Sequence, residues 1–241
     1  MRTMRTNQDF STRRTFVLAA GSAALLAACR DKEKDHDKKD DDEDVGAVED
    51  LMREHGAIRR VLVVYRESAI RLRADPASIP PDALQRSAKL IRSFAEDYHE
   101  RQLEEAHIFP AVKSAAGAGA AAAEIPTLLS QHQRGREITD WILAQTAKPI
   151  GAASSEPLAR ALEGFARMYE EHAAREDTIV FPAWKKALSK KTVREMGEKF
   201  EEIEKKTFGK DGFDDAVAQV TAIERQIGLD PAAFLPPAPR G

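Results

Sequence analysis

YHERQLEEAHIFPA, residues 98–111, and EHAAREDTIVFPA, residues 171–183, nearly repeat one another. Aligned on Phe109-Pro110 and Phe181-Pro182, they place Glu104 opposite Glu176, each six residues before its proline. His172 precedes Glu176 by four residues, one helical turn, so imidazole and carboxylate project from the same face. His99 precedes Glu104 by five. Paired sets of histidine and glutamate on two helices suit a dinuclear metal site.

The extra residue in the first half has a geometric consequence. Five residues of a regular α-helix advance about 500°, which would point Glu104 roughly 140° away from His99. A π-bulge between residues 99 and 104 absorbs the mismatch, and such bulges favour functional sites. The spacing therefore predicts one there; the alternative is a regular helix that presents His99 and Glu104 from its two flanks. Phe109-Pro110 and Phe181-Pro182 are expected to anchor the bundle end and to interrupt the helical hydrogen bonding.

Outward from these motifs, four segments carry helical periodicity. The first, about 46–74, aligns His55, Ile58, Val61, Leu62, Tyr65 and Ala69, and the prolines from Pro76 to Pro81 end it. The second, about 82–113, takes Asp82 as its cap and turns Leu84, Ala88, Ile91, Ala95 and His99 inward. SAAGAGAAAAE (114–124) reads as a low-complexity connection, open to helix over part of its length. The third, about 125–147, aligns Ile125, Leu128, Leu129, His132, Ile138 and Ile142; the fourth, about 156–188, aligns Leu158, Leu162, Phe165, Tyr169, His172, Glu176 and Val180. No segment alternates as a strand does. The expected fold is all-α: an up-down-up-down four-helix bundle over 46–190 with a short C-terminal helical extension over 191–241.

With 37 Lys and Arg against 40 Asp and Glu, the net charge of -3 offers no basic surplus for nucleic acid. The single cysteine rules out a disulfide framework or a thiolate cluster, so a metal must be held by histidine and carboxylate. Residues 1–29 read as an export signal: Arg13-Arg14, an apolar run from Phe16 to Ala28, then Cys29. Leu26-Ala27-Ala28-Cys29 has the form of a lipobox, making Cys29 the lipidation site and placing the protein on the periplasmic side of the cell envelope, held to the membrane by an N-terminal lipid anchor. A plain signal cut near Ala28, or an uncleaved anchor, is the alternative. Residues 30–45 are a charged tether, and its His36 reads as a solvated linker histidine.

Each of the four main segments thus carries one histidine among core-facing residues: His55, His99, His132 and His172. One such histidine is usually a satisfied core residue, but four, with two glutamates, would leave costly unpaired groups without a cation. Imidazole and carboxylate without thiolate suit iron, manganese or zinc, and bundles with this set usually hold iron or manganese. Two histidines per metal, with Glu104 and Glu176 bridging, leave open positions for solvent or a gas. His107 completes Glu104-x-x-His107, the Glu-x-x-His spacing of carboxylate-rich di-iron bundles, yet no second such motif is evident, so it reads as an outer or surface group. Tyr98 and Tyr169 flank the ligands, within reach of a metal-bound oxygen or simply packed in the core.

LMREHGAIRRVL around His55, YHERQLEEAHIFP, LLSQHQRGREITD around His132 and EHAAREDTIVFP together resemble the hemerythrin-like (HHE cation-binding) family over roughly residues 47–190. The resemblance implies a four-helix bundle around two iron ions, Fe2+ or Fe3+, with room for an oxo bridge, and manganese or zinc less favoured. It implies His55, His99, Glu104, His132, His172 and Glu176 as ligands. Hemerythrins proper have a fifth histidine one turn from the third-helix ligand, but here Leu128 and Arg136 stand four residues either side of His132. That departure brings the set closer to iron-sulfur-repair and sensor-like relatives. The expected function is binding of oxygen, nitric oxide or peroxide, as store, scavenger or sensor. An oxidoreductase drawing on an unidentified redox partner is the second reading, and a metal-free structural or partner-binding bundle the third.

Overall fold

The apolar stripe of the first segment becomes the inner face of α1 (Ala47–Ala74), where Ile58, Val61, Leu62, Tyr65 and Ala69 are buried together with His55. Pro76 forces the residue before it out of helical geometry, and Asp75 is extended, with φ -153 and ψ 112. The computed structural model describes residues 45–239. The twin arginine, the apolar run, Cys29 and most of the charged tether with His36 lie outside those residues.

The second helix, α2, is continuous over residues 81–114 but changes its hydrogen bonding twice: α-helical over Pro81–Leu90, π-helical over Ile91–Ile108, and α-helical again over Phe109–Ser114. Asp82 is not its cap. Pro80 holds that position without a side-chain hydrogen bond, Pro81 opens the helix with its preset φ, and Asp82 lies in the acidic first turn. The third helix, α3 (Gly119–Thr146), starts six residues earlier than its periodicity suggested, because the alanine run is helical in its own right. The fourth, α4, covers residues 152–187, with a π-helical turn at Glu176–Val180 inside it.

These four helices pack on one another, α1 most extensively against α4 and α3 against both α2 and α4. Two further helices, α5 (Lys190–Phe208) and α6 (Gly212–Gln226), make their main contacts with α1 and α2. Gly209 ends α5 at φ 69, a left-handed turn that glycine takes without strain. The described residues are all-helical, and none of these helices is long and apolar enough to cross a membrane. The core runs through Leu51, Tyr65, Leu84, Phe165 and Trp184 and surrounds a short polar section at the level of the four histidines.

Candidate metal centre

Both π-helical stretches end at a Phe-Pro pair. The backbone N–H of Phe109 donates to the carbonyl of Glu104, and that of Phe181 to the carbonyl of Glu176, each an i→i−5 bond. Proline brings no N–H and crowds the carbonyl four residues back, so a widened turn just before it relieves the helix. Where five residues close a turn, His99 and Glu104 return to the same side: His99 Nε2 lies 3.2 Å from Glu104 Oε1. In the other half, His172 Nε2 lies 3.0 Å from Glu176 Oε2 across four residues. The expected bulge is present between 99 and 104; the second π turn, past Glu176, is a feature its ordinary spacing did not suggest.

The structure brings all six candidate ligands into one buried cluster, each no more than 2% exposed. His55 and His99 meet with Nε2 atoms 3.0 Å apart, and His132 and His172 with theirs 3.1 Å apart. Glu104 spans the two pairs, 3.2 Å from His99 Nε2 and 3.3 Å from His132 Nε2. Glu176 does the same, 3.0 Å from His172 Nε2 and 3.6 Å from His55 Nε2. All four carboxylate oxygens of Glu104 and Glu176 are buried without a hydrogen-bond partner. Such oxygens are expensive unless a cation faces them.

Every imidazole is anchored from outside through Nδ1. His55 meets Asp177 at 2.7 Å, His99 meets Glu54 at 2.5 Å, His132 meets Glu105 at 2.8 Å, and His172 meets Gln131 at 3.1 Å. The anchors accept from Nδ1 and turn every Nε2 inward, which is how metal-binding histidines are normally held. The anchors are braced in turn: Arg59 on Asp177, Tyr98 on Glu54, and Arg136 on both Glu105 and Glu100. Phe181 stacks on His55 at 5.4 Å between centroids and Phe109 on His132 at 5.6 Å, so the Phe-Pro motifs also form apolar walls of the site.

The contacts repeat. Exchanging α1 and α2 for α3 and α4 maps His55 onto His132, His99 onto His172, Glu104 onto Glu176, Glu105 onto Asp177, and Phe109 onto Phe181. One anchor breaks the correspondence, because Gln131 stands where the first half has Glu54.

Tyr98 and Tyr169 have their hydroxyls committed, the first donating to Glu54 at 2.8 Å and the second to Glu100. They act through those carboxylates rather than on a metal-bound oxygen. His107 lies outside the cluster with its ring 6.0 Å from that of Phe200. Its Glu-x-x-His spacing assumes an α-helical turn, and in the widened turn three residues no longer return it to the face of Glu104. Glu54, Glu105, Asp177 and Gln131 were missed in the sequence. The one available signal was that each adjoins a ligand in the chain.

Charges in the cluster are tightly linked. Burial pushes the Glu104 carboxyl up, but His99 and His132 more than reverse this and hold it well below the ordinary carboxylate range. Burial and then the Glu104 charge hold Glu176 well above that range. Burial opposes charge on His99, yet Glu104 and Glu54 outweigh it and keep that imidazole well above its usual value. The same contest, burial against Glu100, Glu104 and Glu105, raises His132 to about 10. Burial and the charge on His132 lower His172 to about 4. Protons on His99 and His132 thus answer the charge of the buried carboxylates, and a bound cation would supply that positive charge in their place.

Residues 46–184 match the hemerythrin HHE cation-binding domain. The chain belongs to the hemerythrin family. It is also 45% identical over 195 residues to proteins of Mycobacterium tuberculosis and Mycobacterium bovis, each described as uncharacterized, an overlap covering 80% of this chain and 74% of each relative. No solved structure matches the chain. The hemerythrin match spans both Phe-Pro motifs and all four histidines of the cluster. A cation-binding domain accounts for the buried donors, which fit a metal by number, by type and by the orphaned carboxylate oxygens. In this hemerythrin domain, Arg136 occupies one of the two positions a turn from His132 and braces Glu105 and Glu100, while Leu128 at the other is buried in the core.

Proposed function

We propose that the chain holds two iron ions in an up-down-up-down bundle and binds oxygen, nitric oxide or peroxide beside them. The observation that carries this reading is the set of four orphaned carboxylate oxygens set among four inward Nε2 atoms. One ion would take His55 and His99, the other His132 and His172, with Glu104 and Glu176 serving both. Bound iron would supply redox and Lewis-acid chemistry. The chain's own residues do the rest: the Nδ1 anchors hold the rings in place, and Phe109 and Phe181 keep bulk water from the carboxylates. No third histidine stands a turn from His132, which also favours a turnover reading in which a donor reduces the bound oxidant.

The twin-arginine signal and the Cys29 lipobox support placement at the periplasmic face, with a lipid anchor at Cys29. Twin-arginine export carries folded proteins, which suits a metal inserted in the cytoplasm. The functional test is optical titration of the reduced, iron-loaded protein with oxygen, then nitric oxide. A reversible absorption change supports binding, and steady oxidant consumption with an added donor supports turnover. A spectrum that neither gas alters would overturn both.

A further inference from the structure

The Nδ1 anchors of the two halves match in charge except at one place, and that place opens to solvent. Glu54, the anchor of His99, is buried, and its second oxygen is capped by the Tyr98 hydroxyl. Tyr98 is itself covered by Phe208 of α5, with centroids 5.2 Å apart. Gln131, the matching anchor of His172, is only half-buried. It lines a surface groove of roughly 590 Å³ between α3 and α4, whose other walls are Gly164, Arg167, Met168, Glu170 and Glu171. One side chain therefore touches both the groove and a candidate ligand of the buried cluster, since Gln131 Oε1 lies 3.1 Å from His172 Nδ1.

Three properties favour this groove as a way in. Its inner wall is a neutral amide, which an incoming anion meets without the repulsion a carboxylate there would impose. Met168, which flanks Gln131, is unbranched and repacks readily. Gly164 leaves the outer wall free of a side chain, and a Cβ placed on it meets nothing within 4 Å. The C-terminal helices α5 and α6 make their main contacts with α1 and α2, so their cover lies mainly over the opposite half.

We infer that small anions and neutral oxidants reach the dinuclear site through the α3–α4 groove past Gln131, which makes the His132–His172 half the exchanging half. This rests on the di-iron reading above. A ligand arriving there meets Gln131 before any other side chain anchored to the cluster. Arg167, exposed on the groove, adds a positive charge at its mouth, while the two carboxylates of the lining are each paired, Glu170 with Arg66 and Glu171 with Arg175.

The test is stopped-flow binding of azide to the iron-loaded protein, with iron content determined first. Gly164→Trp fills the groove from its outer wall and leaves Gln131 and His172 themselves unaltered. Gly56→Trp serves as the control, since Gly56 is exposed beside His55 on α1 and its Cβ position is also free within 4 Å. The expected result is parental iron content in both variants, with azide association slowed about tenfold or more by Gly164→Trp and within twofold of the parent for Gly56→Trp. Equal rates in the parent and Gly164→Trp, or a slowing confined to Gly56→Trp, would overturn the route while leaving the iron site intact. A parent that takes up no iron would overturn the di-iron reading and the route with it.

Discussion

His99 Nε2 and Glu104 Oε1 lie 3.2 Å apart at a sequence spacing of five, while His172 and Glu176 achieve 3.0 Å at a spacing of four. Two unequal spacings give one geometry because α2 is π-helical from Ile91 to Ile108. The insertion also turns the neighbouring polar residues. Glu105 reaches His132 in one half as Asp177 reaches His55 in the other, so the widened turn sets ligands and anchors together.

The anchors should govern affinity. Glu54 holds His99 Nδ1 at 2.5 Å and takes the Tyr98 hydroxyl on its other oxygen. Glu54→Gln keeps the shape but removes the charge behind the ring, so metal affinity should fall about 10–100-fold. Competition against a chromophoric chelator measures this. Unchanged affinity would mean that the anchor is incidental.

The aromatic walls should govern stability. Phe181 is fully buried and stacked on His55. Phe181→Ala leaves a cavity against a polar cluster and should cost about 3–5 kcal/mol. Urea unfolding of the metal-free protein would show it, and a loss below about 1 kcal/mol would contradict the packing described here.

Glu96 gives a pH-dependent signature away from the ligands. It is buried and raised to about 7, by burial first and by the Glu100 charge, against the Thr139 hydroxyl and the Arg92 guanidinium. A folded-state value above the unfolded one means that the stabilisation is complete below about 4.5 and is lost as pH rises through about 7. Glu96→Gln removes that dependence. The variant should therefore gain on the parent between pH 5 and pH 8 by about 1–3 kcal/mol, read from urea midpoints at the two pH values. An equal difference at both would show that Glu96 does not titrate in this window.

The mismatch between the anchors Glu54 and Gln131 should be visible electrochemically. Gln131→Glu would make both halves alike by placing a carboxylate behind His172, which favours the more positive state of the metal. The midpoint potential of the iron-loaded protein should fall, as voltammetry would show. A rise, or no change, would contradict the role given to Gln131.

Much of the site was legible in the chain because its ligands violate the pattern around them. His55, His99, His132 and His172 stand on stripes otherwise made of leucine, isoleucine and aromatic residues, and Glu104 and Glu176 are fixed by the repeated Phe-Pro. Glu54, Gln131, Glu105 and Asp177 were not legible, since a polar residue beside a ligand on a helix looks like any solvated position until the neighbouring helix is placed. His107 misled because Glu-x-x-His presumes a regular turn that α2 does not have. The early start of α3 was hidden by alanine, which has high helix propensity but carries no amphipathic pattern. Apart from that start, the first four helices of the described residues followed the periodicities closely; the widening at Glu176–Val180 left no trace in its four-residue spacing.

The central claim is that these six side chains hold two metal ions. Iron quantification on anaerobically purified parent and His172→Ala tests it most directly, because His172 is buried, held by Gln131 and 3.0 Å from Glu176. The account predicts about two iron ions per chain in the parent and at most one in the variant. Equal iron in both proteins, or a folded parent without stoichiometric metal, would contradict it.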